Sequence, residues 1–384
     1  MNYVRLGDLC VINSGGTPRR NNESYWKNGD IPWVKISDLK NGIVESTEEF
    51  ITLDGLNNSS AKIFPKGTLL YTIFATIGEV AILKMDAATN QAIVGIQLKE
   101  NKKVYLKYIY YYLKSQTNNI KQLGRGVAQN NINLSVVKNM IIPIVSLEKQ
   151  RNIIATLNKL EKIKENRITI LNCLDDLIKS RFDELFLNTH AIKTIEIGEL
   201  FEVGSSKRIL QSELTAYGVP FYRITDLINR INDRPVDIKQ YVDELKYMTL
   251  IKDKYVPQAS DFLITARGTI GEIYEVKQND RFYFQDGMIT WLKRKNNYIN
   301  SLFFMELVKT DWFRRQLYSS NNGTTISYLS IADTRHLKVL LPSINLQKQF
   351  AQEVNQINKL KSDVQKSIDE TQLLMDSLMQ EYFG

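Results

Sequence analysis

The side chains that could do chemistry in this chain are cationic or amide groups gathered in polar loops. The first loop, Ser14-Gly15-Gly16-Thr17-Pro18-Arg19-Arg20, has the glycine pair and proline of a loop and carries Thr17, Arg19 and Arg20. A shorter basic loop in the second half carries Lys207 and Arg208. Thr76 lies in Phe74-Ala75-Thr76-Ile77-Gly78, and Arg267 and Thr269 lie in Arg267-Gly268-Thr269-Ile270-Gly271. Arg125, Gln129 and Asn130 occupy a third polar stretch, as do Asn321, Asn322 and Thr324 further on. Lys35 and Arg223 sit at equivalent places in two similar strings. Arg, Gln and Asn pair bidentately with guanine and adenine edges, while Lys and Arg also hold phosphates. The plainer reading is that Asn, Gln and Gly populate any loop; what favours nucleic acid is recurrence of the set.

No catalytic constellation can be assembled. The two histidines, His190 and His336, are isolated, and no Cys/His spacing suits zinc. There is no phosphate-binding Gly-x-x-x-x-Gly-Lys-Ser/Thr string, and Gly124-Arg125-Gly126 lacks the third glycine of a dinucleotide loop. A DNA methyltransferase would need an S-adenosylmethionine loop and adjacent prolines, and there is no Pro-Pro. The net charge is +8, which favours a polyanionic partner, although Lys- and Asn-rich coding gives a modest basic excess by itself. The two cysteines, Cys10 and Cys173, lie in unrelated contexts and read as free thiols of a reducing compartment. With no signal peptide and no apolar run long enough to span a bilayer, a cytoplasmic protein is expected.

The loops need elements to hold them, and those elements occur twice. Leu6-Gly7-Asp8-Leu9 returns as Ile197-Gly198-Glu199-Leu200. Pro32-Trp33-Val34-Lys35-Ile36-Ser37-Asp38-Leu39 returns as Pro220-Phe221-Tyr222-Arg223-Ile224-Thr225-Asp226-Leu227, and Thr76-Ile77-Gly78-Glu79 as Thr269-Ile270-Gly271-Glu272. Strands are expected over 31–39, 69–74, 79–83, 90–98 and 140–145, with a helix over 104–123 whose tyrosines (Tyr105, Tyr108, Tyr112) read as core rather than as base-stacking groups. In the second half, strands over 262–265, 273–276 and 339–341 and a single helix over 298–319 repeat that order. Helices do not alternate with strands throughout, so each unit reads as α+β.

Each unit runs into a long helix, over 147–187 and 346–383, opening at Leu147 and Leu346 and closing at Leu187 and Phe383. Neither stretch contains Gly or Pro. In the first, Ile153, Leu157, Leu160, Ile170, Leu171, Leu174, Leu177, Ile178, Leu185 and Phe186 form an apolar face. In the second, Phe350, Ile357, Val364, Thr371 and Leu378 form one heptad row, and Val354, Lys361, Ile368, Met375 and Tyr382 another. Both open with Leu-x-Lys-Gln (147–150, 346–349) and continue with Asn-Lys-Leu (158–160, 358–360). A helix of this length runs roughly 60 Å, too long for the inside of one domain. Two such helices can pack as an antiparallel coiled coil with an approximate two-fold axis, and Lys164, Arg167 and Lys361 interrupt the seam as register-fixing polar groups.

The ordered duplication resembles the specificity (S) subunits of type I restriction-modification systems, the HsdS family, over the whole chain. That resemblance implies target recognition domains over 1–145 and 191–342, with spacer helices over 146–190 and 343–384. It implies a non-catalytic protein that binds double-stranded DNA at a gapped, asymmetric site. Two methyltransferase subunits, and often restriction subunits, would dock on it through the helices, and S-adenosylmethionine, ATP and Mg²⁺ would belong to those partners. One departure stands out: Phe74-Ala75 replaces an arginine-bearing pair such as Arg267-Gly268 in the first unit. The alternative is a scaffold that assembles proteins on the coiled coil without reading DNA.

Overall fold

A computed structural model describes residues 2–99, 103–117, 119, 132–188, 192–319 and 328–384. The chain forms two compact units, one of residues 1–169 and 365–384, the other of residues 170–364. Each unit contains an α+β domain and one part of each long helix.

In the first unit, strand Asn2–Arg5 pairs with Ile141–Ile144, closing the domain beside its own start. A five-stranded sheet runs in the order Cys10–Ser14, Ile93–Leu98, Leu69–Thr72, Val80–Leu83, Ile43–Val44. A smaller sheet holds Phe50–Ile51, Ile31–Val34, Ala87–Thr89 and Ile63–Phe64. The second unit repeats this plan. Thr194–Glu196 pairs with Lys338–Leu340, and the main sheet is Phe201–Gly204, Ile289–Arg294, Phe262–Thr265, Ile273–Glu275. Its smaller sheet is Leu214–Thr215, Tyr241–Val242, Val219–Tyr222, Tyr283–Phe284. Pairing is mostly antiparallel; Ile31–Val34 with Ala87–Thr89, and Val219–Tyr222 with Tyr283–Phe284, are parallel at matching places.

The stretch before the first loop resolves into a strand, the helical turn Leu6–Leu9 and a second strand, Cys10–Ser14. Leu6 and Leu9, like Ile197 and Leu200, are buried, so the repeated Leu/Ile-Gly-Asp/Glu-Leu string is core. The tyrosine-rich helix spans Leu106–Ser115, and Tyr108 to Tyr112 are all buried. Tyr108 donates to the Pro143 carbonyl at 2.8 Å and Tyr112 to the Ile141 carbonyl at 2.9 Å, so these rings are core, as expected. The single helix expected over 298–319 is two, Ser301–Lys309 and Asp311–Ser319. Between them Thr310 is extended, and its hydroxyl accepts from the Phe313 amide at 3.2 Å, capping the second helix.

The long helices are Leu147–Phe182, continued by a π-helical turn Asp183–Leu187, and Ile344–Phe383. Within each unit they pack antiparallel. In the first, Lys164 bonds Gln372 at 2.6 Å and Arg167 bonds the Ser367 carbonyl at 2.7 Å, while Ile153 and Leu157 share a core with Met375, Met379 and Phe383. In the second, Arg181 pairs with Glu353 at 2.8 Å, Lys361 with Asp175, and Phe182 packs on Phe350. The inward row of the first helix follows Leu157, Leu160, Lys164, Arg167, Leu171, Leu174 and Ile178. Ile170 and Leu177, placed on the apolar face by the sequence reading, are 46% and 50% exposed because a seam of 3.5 residues per turn passes them by.

A second correction concerns the helix starts. The Leu-x-Lys-Gln strings set Gln150 against Gln349, but the structural counterpart of Gln150 is Gln347. Both are fully buried. The Gln150 amide accepts from the Tyr105 N–H at 3.0 Å and donates to the Lys103 and Val145 carbonyls at 2.9 Å. The Gln347 amide accepts from the Asn300 N–H at 2.7 Å and donates to the carbonyls of Tyr298 at 3.1 Å and Pro342 at 2.9 Å. Each clamps the long helix to the start of the helix packed on it and to the strand before it. The Asn-Lys-Leu strings are out of register for the same reason.

Buried polar groups stripped of partners cost about 1–3 kcal/mol each. Gln150→Leu and Gln347→Leu should each destabilise the protein by roughly 3 kcal/mol or more. Thermal and denaturant melts check this; an unchanged midpoint would remove the clamp from the account.

Candidate nucleic-acid interface

The repeated Thr-Ile-Gly string forms the same turn in both units. Thr72 donates its hydroxyl proton to the Thr76 carbonyl, and its oxygen accepts from the Glu79 N–H at 2.9 Å. Thr265 does the same with Thr269 and with the Glu272 N–H at 3.0 Å. Ile77 and Ile270 are buried and pin the turn, leaving Thr76 and Thr269 exposed at its tip. Ala75 and Gly268 take left-handed conformations, φ +58° and +65°, and Gly78 and Gly271 φ +93° and +88°.

Described residues that flank the third polar stretch in sequence lie beside this turn. In the first unit Thr117 donates to the Gly78 carbonyl at 3.0 Å, and the Ile132 N–H to Ile73 at 3.0 Å. In the second, Leu317 lies against Gly271, and Tyr328 pairs through its backbone with Arg267. The Arg267 guanidinium lies over the Tyr328 ring, 4.6 Å from its centre, with its side chain exposed. Arg125, Gln129, Asn130, Asn321, Asn322 and Thr324 lie outside the described residues, as does His190. His336 pairs with Glu196 at 3.0 Å at the domain edge.

The first basic loop is threaded through a narrow gap. The Gly15 and Gly16 N–H groups bond the carbonyls of Ile93 and Thr89 at 3.0 and 2.8 Å, and Trp33 donates its indole N–H to Gly16 at 3.0 Å. A Cβ at Gly15 would fall 2.0 Å from the Thr89 hydroxyl, so no side chain fits there. Arg19 is exposed, and its carbonyl accepts from the Trp26 indole at 3.1 Å. Arg20 lies 3.8 Å over the Trp26 ring and pairs with Glu49. Lys35 joins the same carboxylate at 3.0 Å and Glu48 at 3.3 Å. Burial pushes the Glu49 carboxyl up, but the Arg20 and Lys35 hydrogen bonds and charges outweigh it and hold it below the usual carboxylate range. Lys35 is raised in return, chiefly by its bond to Glu49.

In the second unit, Ser206 donates to the Phe284 carbonyl at 2.8 Å and Tyr283 to the Lys207 carbonyl at 3.0 Å, holding the shorter basic loop on the sheet edge. Lys207 stands 3.9 Å from Asp253, and Arg208, its side chain 76% exposed, 4.0 Å from Asp286. Arg223 is exposed and bonds Gln240. Lys35 and Arg223 both precede a helical turn whose Asp38 or Asp226 accepts from their backbone N–H, at 2.8 and 2.9 Å, which accounts for the repeated aspartate.

The described candidates are thus drawn to one end of the sheets in each unit. The sequence reading missed residues 90–92 and 285–288. It placed 90–92 inside a strand that begins only at Ile93. In both units this turn touches each described loop: Thr17 donates to Gln91, Asn90 N–H bonds Val34 and Ile73 N–H bonds Ala92. Gln285 N–H bonds Tyr222, Ala266 N–H bonds Met288, and Gly287 N–H bonds Ser205. The signal available was the pairing of Asn-Gln with Gln-Asp at one place of the repeat. Among the described residues no cluster of three or more His, Cys, Asp or Glu could hold a metal ion, and no helix is long and apolar enough to cross a membrane.

The duplicated domain carries cationic and amide loops at a sheet edge in each copy. The family described as the type I restriction modification DNA specificity domain matches residues 1–172 and 191–371. The chain belongs to that family. It is 25% identical, over 98% of its length and 90% of the relative's, to the type I restriction enzyme MjaIX specificity subunit of Methanocaldococcus jannaschii. Over 44% of its length it is 30% identical to the EcoR124I/EcoR124II specificity subunit of Escherichia coli, covering 42% of that protein. The fold is shared with the S subunit of the type I system of M. genitalium (TM-score 0.51, 20% identity, 100% of this chain and 96% of that one). It is also shared with a chain from a type I system solved for its assembly and conformational transition (TM-score 0.64, 16% identity, 99% and 97%).

The turn geometry sets an order of costs. A Cβ at Gly271 would lie 2.4 Å from Leu317 as well as requiring positive φ, whereas one at Gly268 would meet nothing nearer than the Ile224 side chain at 4.0 Å. Gly268→Ala should cost about 1 kcal/mol and Gly271→Ala roughly 2 kcal/mol or more, while Ala75→Gly should gain up to about 1 kcal/mol. Melting midpoints of the three variants check the order.

Proposed function

We propose that the chain is the non-catalytic DNA-specificity subunit of a type I restriction-modification complex. Each unit reads one half of a bipartite, asymmetric site, and the helices carry two methyltransferase subunits, with restriction subunits joining the assembly. The observation that carries this reading is that both units gather cationic and amide loops around one framework turn, while the loop residues differ between them. Two modules that read different bases through one scaffold need that combination. Arg19, Arg20, Lys35, Lys207, Arg208, Arg223 and Arg267 supply phosphate and guanine contacts, with Thr76 and Thr269 at the turn tips.

Support for protein partners comes from the helices. Ile168, Leu360 and Leu373 are 43%, 53% and 72% exposed on them, apolar surface that a docked subunit would cover. S-adenosylmethionine, ATP and Mg²⁺ chemistry belongs to those partners, and the assembly works on DNA in the cytoplasm.

Methylation profiling of cells with and without the gene tests the reading. A bipartite motif should disappear with the gene; an unchanged methylome overturns it and favours the scaffold. The spacer role has its own test. Seven residues inserted into both helices, after Thr169 and after Val364, add about 10.5 Å of helix, or roughly three base pairs at 3.4 Å each. The gap in the motif should lengthen accordingly while the bases on either side stay the same; a constant gap removes the spacer role.

A further inference from the structure

We propose that the turn at residues 90–92 of the first unit and 285–288 of the second is the base-reading element of each. Gln91 selects an adenine, and Asp286 with Arg208 selects a G·C pair. The inference rests on the DNA-specificity reading above and adds the residues and base classes to it.

Position is the first argument. In each unit this turn is bonded to the basic loop, to the strand end that carries Lys35 or Arg223, and to the strand leading into the Thr-Ile-Gly turn. Backbone bonds fix it on both sides, and Asn90 closes it by accepting the Ala92 N–H at 3.0 Å. A side chain at its tip is therefore pre-positioned, so little ordering entropy is lost on contact.

Chemistry is the second. Gln91 is exposed, and its Oε1 accepts from the Thr17 hydroxyl, which sets the orientation of the amide. Oε1 keeps a second lone pair, and among the described residues the Nε2 group has no hydrogen-bond partner. One acceptor beside one donor matches the N6–H and N7 edge of adenine. Thr17 is then a positioning residue for Gln91. At the matching place in the second unit stands a carboxylate, which only accepts. On a surface built for a polyanion an acidic group is unfavourable unless it meets a donor. In the major groove the donors are cytosine N4 and adenine N6, and adenine sets its N7 acceptor beside N6, where it repels a carboxylate. Asp286 therefore selects cytosine. The Arg208 guanidinium, 4.0 Å away and exposed, is placed to donate to O6 and N7 of the paired guanine.

The test uses the full chain with its own methyltransferase subunits in cells, read by methylome sequencing. Asp286→Asn should change or relax one G·C position in the half-site of the second unit and leave the other half intact. Gln91→Glu should do the converse at one adenine position, and Thr17→Val should relax that same position more weakly. In competition binding with the assembled complex, discrimination at the altered position should fall about 10- to 100-fold. All three substitutions preserve side-chain size, and retained reading by the other unit certifies folding. A wild-type motif that every variant leaves unchanged overturns this inference alone. Absence of any wild-type motif overturns the DNA-specificity reading, and this inference with it.

Discussion

Two buried glutamine amides hold the architecture together. Where each long helix begins, the chain leaves a strand and passes beneath the start of another helix, so backbone N–H and carbonyl groups meet in a region without solvent. An aliphatic side chain there would strand them, and a charged one would carry a desolvation cost the site does not return. An amide offers an acceptor and two donors at once. Gln150 and Gln347 use all three, on Tyr105, Lys103 and Val145 in one unit and on Asn300, Tyr298 and Pro342 in the other. The long helix is thereby part of the domain core. In the first unit the same rigid path continues along the tyrosine helix to Thr117, which bonds Gly78 at the loop face.

Much of this was legible from the sequence, because repeated burial leaves repeated patterns. The duplicated strings marked the two domains, and the spacing of apolar residues marked the helices. The tyrosines were assigned to the core on the same ground, and their hydroxyl bonds to strand carbonyls agree. The helix register was misread where similarity came from the wrong residues. Lys149 and Lys348 are exposed and align by composition, while the glutamine that matters is defined by what it bonds. Ile170 and Leu177 are apolar and fall at helical spacing, but the 3.5-residue seam does not reach them. Thr310-Asp311, a helix-capping pair inside an otherwise helical pattern, is the sequence signal for the break between the two helices.

The loop face was legible by residue type and not by arrangement. Arg20 and Lys35 were visible as cations. That Glu49 ties both together was not, since that carboxylate arrives from another strand and only pairing of Ile31–Val34 with Phe50–Ile51 brings it near. The turn at 90–92 was hidden because Asn90 and Gln91 run directly into a β-branched stretch, and strand propensity alone does not show where pairing begins.

The framework and the variable positions answer to different physics. Thr72 and Thr265, Ile77 and Ile270, and Gly78 and Gly271 are each constrained by a backbone bond, by burial or by positive φ, and each pair is chemically identical. Gln91 and Asp286 stand beside those positions with side chains that do not support the turn itself, and where Phe74 packs partly buried on the core of the first unit the second presents the exposed Arg267. Replacing one of the outward-facing groups changes the hydrogen-bond pattern offered to a ligand without straining the fold beneath it. A duplicated domain with that separation can let its two copies diverge in what they recognise while the glutamine clamps and the helix seam keep both in the same form.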